Sequence, residues 1–161
     1  MNFRLFSIAS SVIFLLIGIS FAAGDAYALE GARFEEMAYM VKVKKKFDTV
    51  VSDLNDAIID HNFKVINVSN IKKGLGSRDV RFGEYTVVEF CNLTIAETVL
   101  KRDLRFGLLM PCRVSVYEDK DEVVIMTVRP TFIIKRLGDP SLMELAADIE
   151  KQIIDIMDAI K

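Results

Sequence analysis

The residues with the most chemistry to offer are two cysteines, each set in a short polar cluster, Glu89-Phe90-Cys91-Asn92 and Met110-Pro111-Cys112-Arg113. A thiol beside a carboxylate, an amide and a guanidinium can act as a nucleophile, a redox partner, a soft-metal ligand or half of a structural bridge. If Cys91 precedes a helix, the positive end of the helix dipole and a nearby Arg113 favour its thiolate, while Glu89 opposes ionisation. Glu89 has a competing use as the cross-strand ion-pair partner of Arg113. Thiol catalysis would fall to Cys91 with Cys112 as resolver; no catalytic residue is identified beyond these two.

The elements that position the clusters follow from periodicity. Residues 39 to 44 alternate as a first strand, and Val50, Val51, Leu54 and Ile58 recur at helical spacing after a possible cap at Asp48, until His61-Asn62 breaks the pattern. Residues 63–68 read as a second strand, residues 70–82 as a basic irregular connection with Gly74 and Gly76, and residues 85–90 as a third strand. Asn92 offers an N-cap, with Thr94 and Glu97 at capping-box spacing, for a helix running to Asp103. Residues 113–118 and 122–128 form a hairpin across Asp119-Lys120-Asp121, and Arg129-Pro130 ends its second strand. From Asp139-Pro140 a last helix carries Leu142, Leu145, Ala146, Ile149, Ile153 and Ile156 on one stripe. The expected fold is a two-layer α+β sandwich, a mostly antiparallel sheet of about five strands with helices on one face.

Strand alternation then assigns faces. Tyr85, Val87, Glu89 and Cys91 share one side of the third strand, opposite Val88 and Phe90; Cys112, Val114 and Val116 oppose Arg113, Ser115 and Tyr117 on the fourth. Cys112 is expected in the core, and Cys91 on a polar face near Glu89, Arg113 and Tyr117. Opposite faces argue against a Cys91–Cys112 disulfide, although both residues sit at strand ends where a bulge can turn a side chain. An exported protein with two cysteines argues for one. Bridge, functional thiols and inert buried thiols all stay open.

Glu89-Phe90-Cys91-Asn92, the Ala-containing helix after it and the run from Gly107 through Pro111-Cys112-Arg113 to Glu118 together resemble the domain-of-unknown-function 302 family. Phe47, Leu54, Asn62-Phe63 and Gly74-Leu75 are also similar, so the likeness covers most of residues 36 to 135; Leu93 departs from it, where many relatives carry Pro. The resemblance implies a small α+β domain, a homodimer, and no established reaction.

Other chemistries are poorly served. There is no G-x-S-x-G, P-loop or dinucleotide fingerprint, and no C-x-x-C; the single His, His61, sits at a helix C-terminus. No cofactor is identified; copper(I) held by Cys91, Cys112 and Met110 is the metal these soft ligands favour. A net charge of −2 offers no general attraction to nucleic acid. Lys72, Lys73, Arg78 and Arg81 read as a solvated charge run rather than an anion site.

The N-terminus carries Arg4, an apolar stretch over residues 5–23 and the A-x-A pattern Ala26-Tyr27-Ala28. This predicts a signal peptide cleaved after Ala28, or else a retained anchor as the protein's one link to a membrane. The organisation expected is a leader at 1–28, a linker at 29–35 and one domain at 36–161, secreted, and periplasmic if the cell is Gram-negative. The functional expectation is a non-enzymatic ligand-binding or dimeric module whose site gathers Glu89, Cys91, Asn92, Arg113 and Tyr117. Thiol-dependent redox or transfer chemistry and a structural module with one disulfide are the alternatives.

Overall fold

The computed structural model describes residues 34–161, so the leader and most of the linker lie outside the described residues. Five strands, β1 (Ala38–Val43), β2 (Lys64–Asn70), β3 (Tyr85–Cys91), β4 (Cys112–Asp119) and β5 (Glu122–Val128), form one antiparallel sheet in the order β1-β5-β4-β3-β2. Helices α1 (Phe47–Asp60), α2 (Ile71–Gly76), α3 (Leu93–Arg102), α4 (Pro130–Leu137) and α5 (Met143–Asp158) complete an α+β sandwich. Among the described residues, no helix is long and apolar enough to cross a membrane.

The inner sheet face is the one alternation selected. Val41, Val88, Phe90, Val114, Val116 and Ile125 are buried there, sealed by Val50, Leu54 and Ile58 of α1 and by Ile153, Ile156 and Met157 of α5. Complete burial of each such side chain is worth about 1.5–3 kcal/mol before entropic costs. A smaller cluster of Val99, Phe106, Ile134, Leu142 and Ala146 lies under α3 and α4.

Several local expectations change. Lys46, not Asp48, is the N-cap of α1, and it makes no side-chain capping bond; Asp48 stands in the first turn, where its carboxylate meets the positive helix end. The connection after β2 is not wholly irregular, because Asn70 Oδ1 accepts from the Lys73 N–H at 2.7 Å and starts the short α2 despite its glycines. Glu97 pairs with Lys101 at 2.6 Å rather than completing a capping box. Pro130 ends β5 and is also the first residue of α4, where its missing N–H costs nothing; Gly138, at φ 72°, closes that helix in a left-handed cap. The last helix starts later than expected, at Met143, after a 3-10 turn over Pro140–Leu142.

Candidate functional site

Both cysteines stand at one end of the sheet. Phe90 is paired with Cys112 across β3 and β4, so Cys112 shares the inner face of Phe90 and packs against the main core. One residue on, the chain leaves the sheet. Asn92 Oδ1 accepts from the N–H groups of Thr94 and Ile95 at 3.0 and 3.2 Å, and Asn92 Nδ2 donates to the carbonyl of Asn62 at 3.1 Å. Asn62 itself, at φ 62°, holds the left-handed position that closes α1: its own N–H and that of Phe63 reach back to the carbonyls of Ile59 and Ile58. One amide thus caps α3 and ties it to the end of α1.

Between this corner and the later helices lies a cavity of about 340 Å³. Its walls are Ile95, Ala96 and Val99 of α3; Phe106, Leu109, Met110 and Pro111 from the 3-10 turn Leu104–Leu109 and its exit; and Pro130, Ile133 and Ile134 of α4. Leu145, Ala146 and Ile149 of α5 close a further side, and Phe63, Thr127 and both cysteines border it from the sheet end. Where β3 gives way to α3, alternation no longer keeps the thiols apart, and they meet at one cavity as free thiols.

The wall of α4 is held by a clamp. Arg129 pairs with Glu150 of α5 at 2.7 Å and lies over the Tyr39 ring at 5.3 Å, while the Thr131 N–H donates to Glu150 at 3.0 Å and the Thr131 hydroxyl donates to the same carboxylate.

The electrostatics bear on whether Cys91 is an activated thiolate, one of the alternatives left open. Burial raises its pKa, and the first-turn donors of α3 that would favour a thiolate are occupied by Asn92. Burial, followed by the charge of Cys91, pushes Cys112 up to about 11. Both are neutral thiols at physiological pH.

The remaining expected site residues divide. Cys91, Asn92 and Arg113 border the cavity, as does Met110, the third soft ligand considered for copper; Glu89 and Tyr117 do not. Glu89 stands directly opposite Arg113 in the register, yet its carboxylate accepts from Asn67 Nδ2 at 3.1 Å, and no Glu89–Arg113 ion pair forms among the described residues. Tyr117 stacks on Tyr85, ring centres 5.5 Å apart, on the outer sheet face. His61 is the C-cap residue of α1 and does not border the cavity; among the described residues no group of three or more His, Cys, Asp or Glu side chains is placed to hold a metal. In the basic connection Lys72 is paired with Glu84.

Sequence reasoning missed the walls from α4 and α5. The available signal was small residues, Ala96 and Ala146, set within stripes of larger ones.

A five-stranded antiparallel sheet with helices over one face, and an apolar cavity under the later helices, define a small α+β domain with one pocketed end. The chain belongs to the family described as domain of unknown function DUF302, whose model matches residues 39–160 and so extends through the final helix. It is similar to the crystal structure of an uncharacterized conserved protein DUF302 from Bacillus stearothermophilus, with 27% identity and a TM-score of 0.74, covering 78% of this chain and 98% of that one. No curated protein matches the chain.

Proposed function

We propose that this domain is a non-enzymatic binding module that takes a small apolar molecule into the cavity between α3, α4 and α5. The observation that carries this is the cavity itself, about 340 Å³ with walls that are mostly hydrocarbon. Pockets for small molecules start at about 300 Å³, and an apolar cavity of about 150 Å³ already holds benzene. Neutral thiols beside it favour this reading over redox or transfer chemistry, because the thiolate is the reacting form.

The test is native mass spectrometry and thermal-shift titration with naphthalene-sized and medium-chain probes, on the wild type and on Ala146→Phe. Saturable one-to-one binding that the substitution abolishes, with circular dichroism unchanged, supports the proposal. Binding that survives the blocked cavity sinks it, as does no binding by any probe.

Dimerisation is a second reading, favoured by the outer sheet face. Both hydrophobic clusters lie on the inner side, while Met40, Val87, Met126 and the stacked Tyr85 and Tyr117 share the outer one. A two-fold pairing of such faces would bury them. Light scattering should then give a dimer that Val87→Lys converts to monomer; a monomeric wild type removes this reading.

Export is proposed from residues 1–28 alone. N-terminal sequencing of the protein recovered outside the cytoplasm should begin at Leu29, and a cytoplasmic protein beginning at Met1 would overturn it.

A further inference from the structure

We propose that the guest of this cavity is a neutral hydroxyl compound, an apolar alcohol or phenol, whose O–H donates to Thr127 Oγ1 on the sheet side of the cavity. This rests on the binding reading above and adds the chemical class of the ligand.

Thr127 stands opposite Val114 in the register of β4 and β5, and Val114 is fully buried on the inner face. The Thr127 side chain therefore points toward the helices; it is 7% exposed and borders the cavity. Its hydroxyl has two neighbours, the carbonyl of Arg113 at 2.8 Å and that of Val128 at 3.5 Å. A carbonyl can only accept, so the hydroxyl proton is spent on Arg113. The oxygen keeps its own accepting capacity, and no donor among the described residues reaches it. Arg113 brings only its carbonyl to this spot, because alternation sets its side chain on the outer face across from Glu89. Asn92, at the same end of the sheet, spends both ends of its amide on Thr94, Ile95 and Asn62.

A pocket walled mostly by hydrocarbon orients its guest through a few polar groups, and the one Thr127 offers is an acceptor. A carboxylate or an ether, which only accepts, gains nothing there. An ammonium would donate, but at the cost of taking a charge out of water into an apolar cavity. A hydroxyl supplies one donor with the least polar surface to desolvate.

The experiment measures 1-naphthol, 1-methoxynaphthalene and naphthalene binding to the purified protein by equilibrium dialysis at neutral pH, read by ligand fluorescence. In the wild type, 1-naphthol should bind about fivefold more tightly than 1-methoxynaphthalene, whose donor is methylated, the scale of one neutral hydrogen bond. Thr127→Val should weaken 1-naphthol by about the same factor and leave naphthalene within about twofold, while Thr127→Ser should keep the wild-type preference. Methoxynaphthalene binding as tightly as naphthol in the wild type overturns the assignment, and this comparison decides alone if circular dichroism shows that Thr127→Val does not fold. Naphthol affinity that is unchanged or raised in a folded Thr127→Val also overturns it, a rise marking the freed Arg113 carbonyl as the acceptor. In either case naphthalene binding that Ala146→Phe abolishes would leave the cavity reading standing. If none of the three binds, both inferences fall together.

Discussion

Under α1 and the C-terminal part of α5 the inner sheet face is closed by Leu54, Ile58, Phe90, Ile153 and Ile156, each 2% exposed or less, whereas under α3 and α4 the protein leaves about 340 Å³ open. The same helix serves both halves: the first turns of α5 present Leu145, Ala146 and Ile149 to the cavity, and the later turns bury Ile153, Ile156 and Met157 in the core. Large branched side chains fill one half. In the other, Ala96, Thr127 and Ala146 face each other's helices and strand without filling the space between. Close packing is the rule in protein interiors, and leaving such a volume empty costs stability. The contrast separates residues that hold the fold from residues that shape a pocket.

Large-to-small substitution in the closed half is the strongest way to break this division. Phe90 is fully buried and meets Phe63 edge-on at 5.5 Å. Phe90→Ala should cost about 3–5 kcal/mol in urea denaturation; a loss under about 1 kcal/mol would show that the closed half is not tightly packed.

Cys112, at the boundary of the halves, supplies a pH test. Its pKa rises from an ordinary 9.0 to about 11 through burial, so folding favours the neutral thiol. The unfolded chain ionises first. The stabilisation is complete below pH 9.0 and is lost as the pH climbs to about 11, in all about 2–3 kcal/mol at ~1.4 kcal/mol per pH unit. The stability difference between wild type and Cys112→Ala should narrow by that amount across this interval. Parallel curves would mean that the thiol is solvated in the folded protein.

The clamp on α4 should matter somewhat less. Glu150→Gln removes the charge that Arg129 and Thr131 share, and should lower stability by about 2 kcal/mol. Because the clamp positions one cavity wall, probe affinity should fall with it; unchanged affinity would locate the guest elsewhere.

The smallest effect is the sharpest comparison. Val114→Leu adds a methylene to the closed half and should cost about 1–3 kcal/mol, while Ala146→Leu adds more volume beside the cavity and should change stability by less than about 1 kcal/mol. Equal penalties at the two positions would erase the distinction.

Much of the scaffold was legible because its signals are local. Val88 and Phe90 were assigned to the buried face by alternation, Asn92 to a helix cap by its type and place, and Ile149 to Ile156 to one stripe by helical period. The misses were places where one residue serves two local patterns. Pro130 stops a strand and starts a helix; Asn70 ends β2 and caps a helix whose glycines suggested a loop. The site was half legible. Of the expected site, Cys91, Asn92 and Arg113 do border one cavity, joined there by Cys112 from the opposite strand face, but Glu89 and Tyr117 stand away from it.

Residue order by itself determined the five strands, the capped start of α3, the amphipathic stripe of α5 and the position of the two thiols at one end of the sheet, because periodicity and capping act over a few residues. Tertiary structure alone decided that α4 and the first turns of α5 roof this end, that Ala96 and Ala146 leave a cavity there, and that Glu89 turns to Asn67 rather than to Arg113 across the strands. Such facts depend on which distant surfaces meet and how well their side chains fill the gap. A hydrophobic stripe looks the same in sequence whether it faces a filled core or an open pocket.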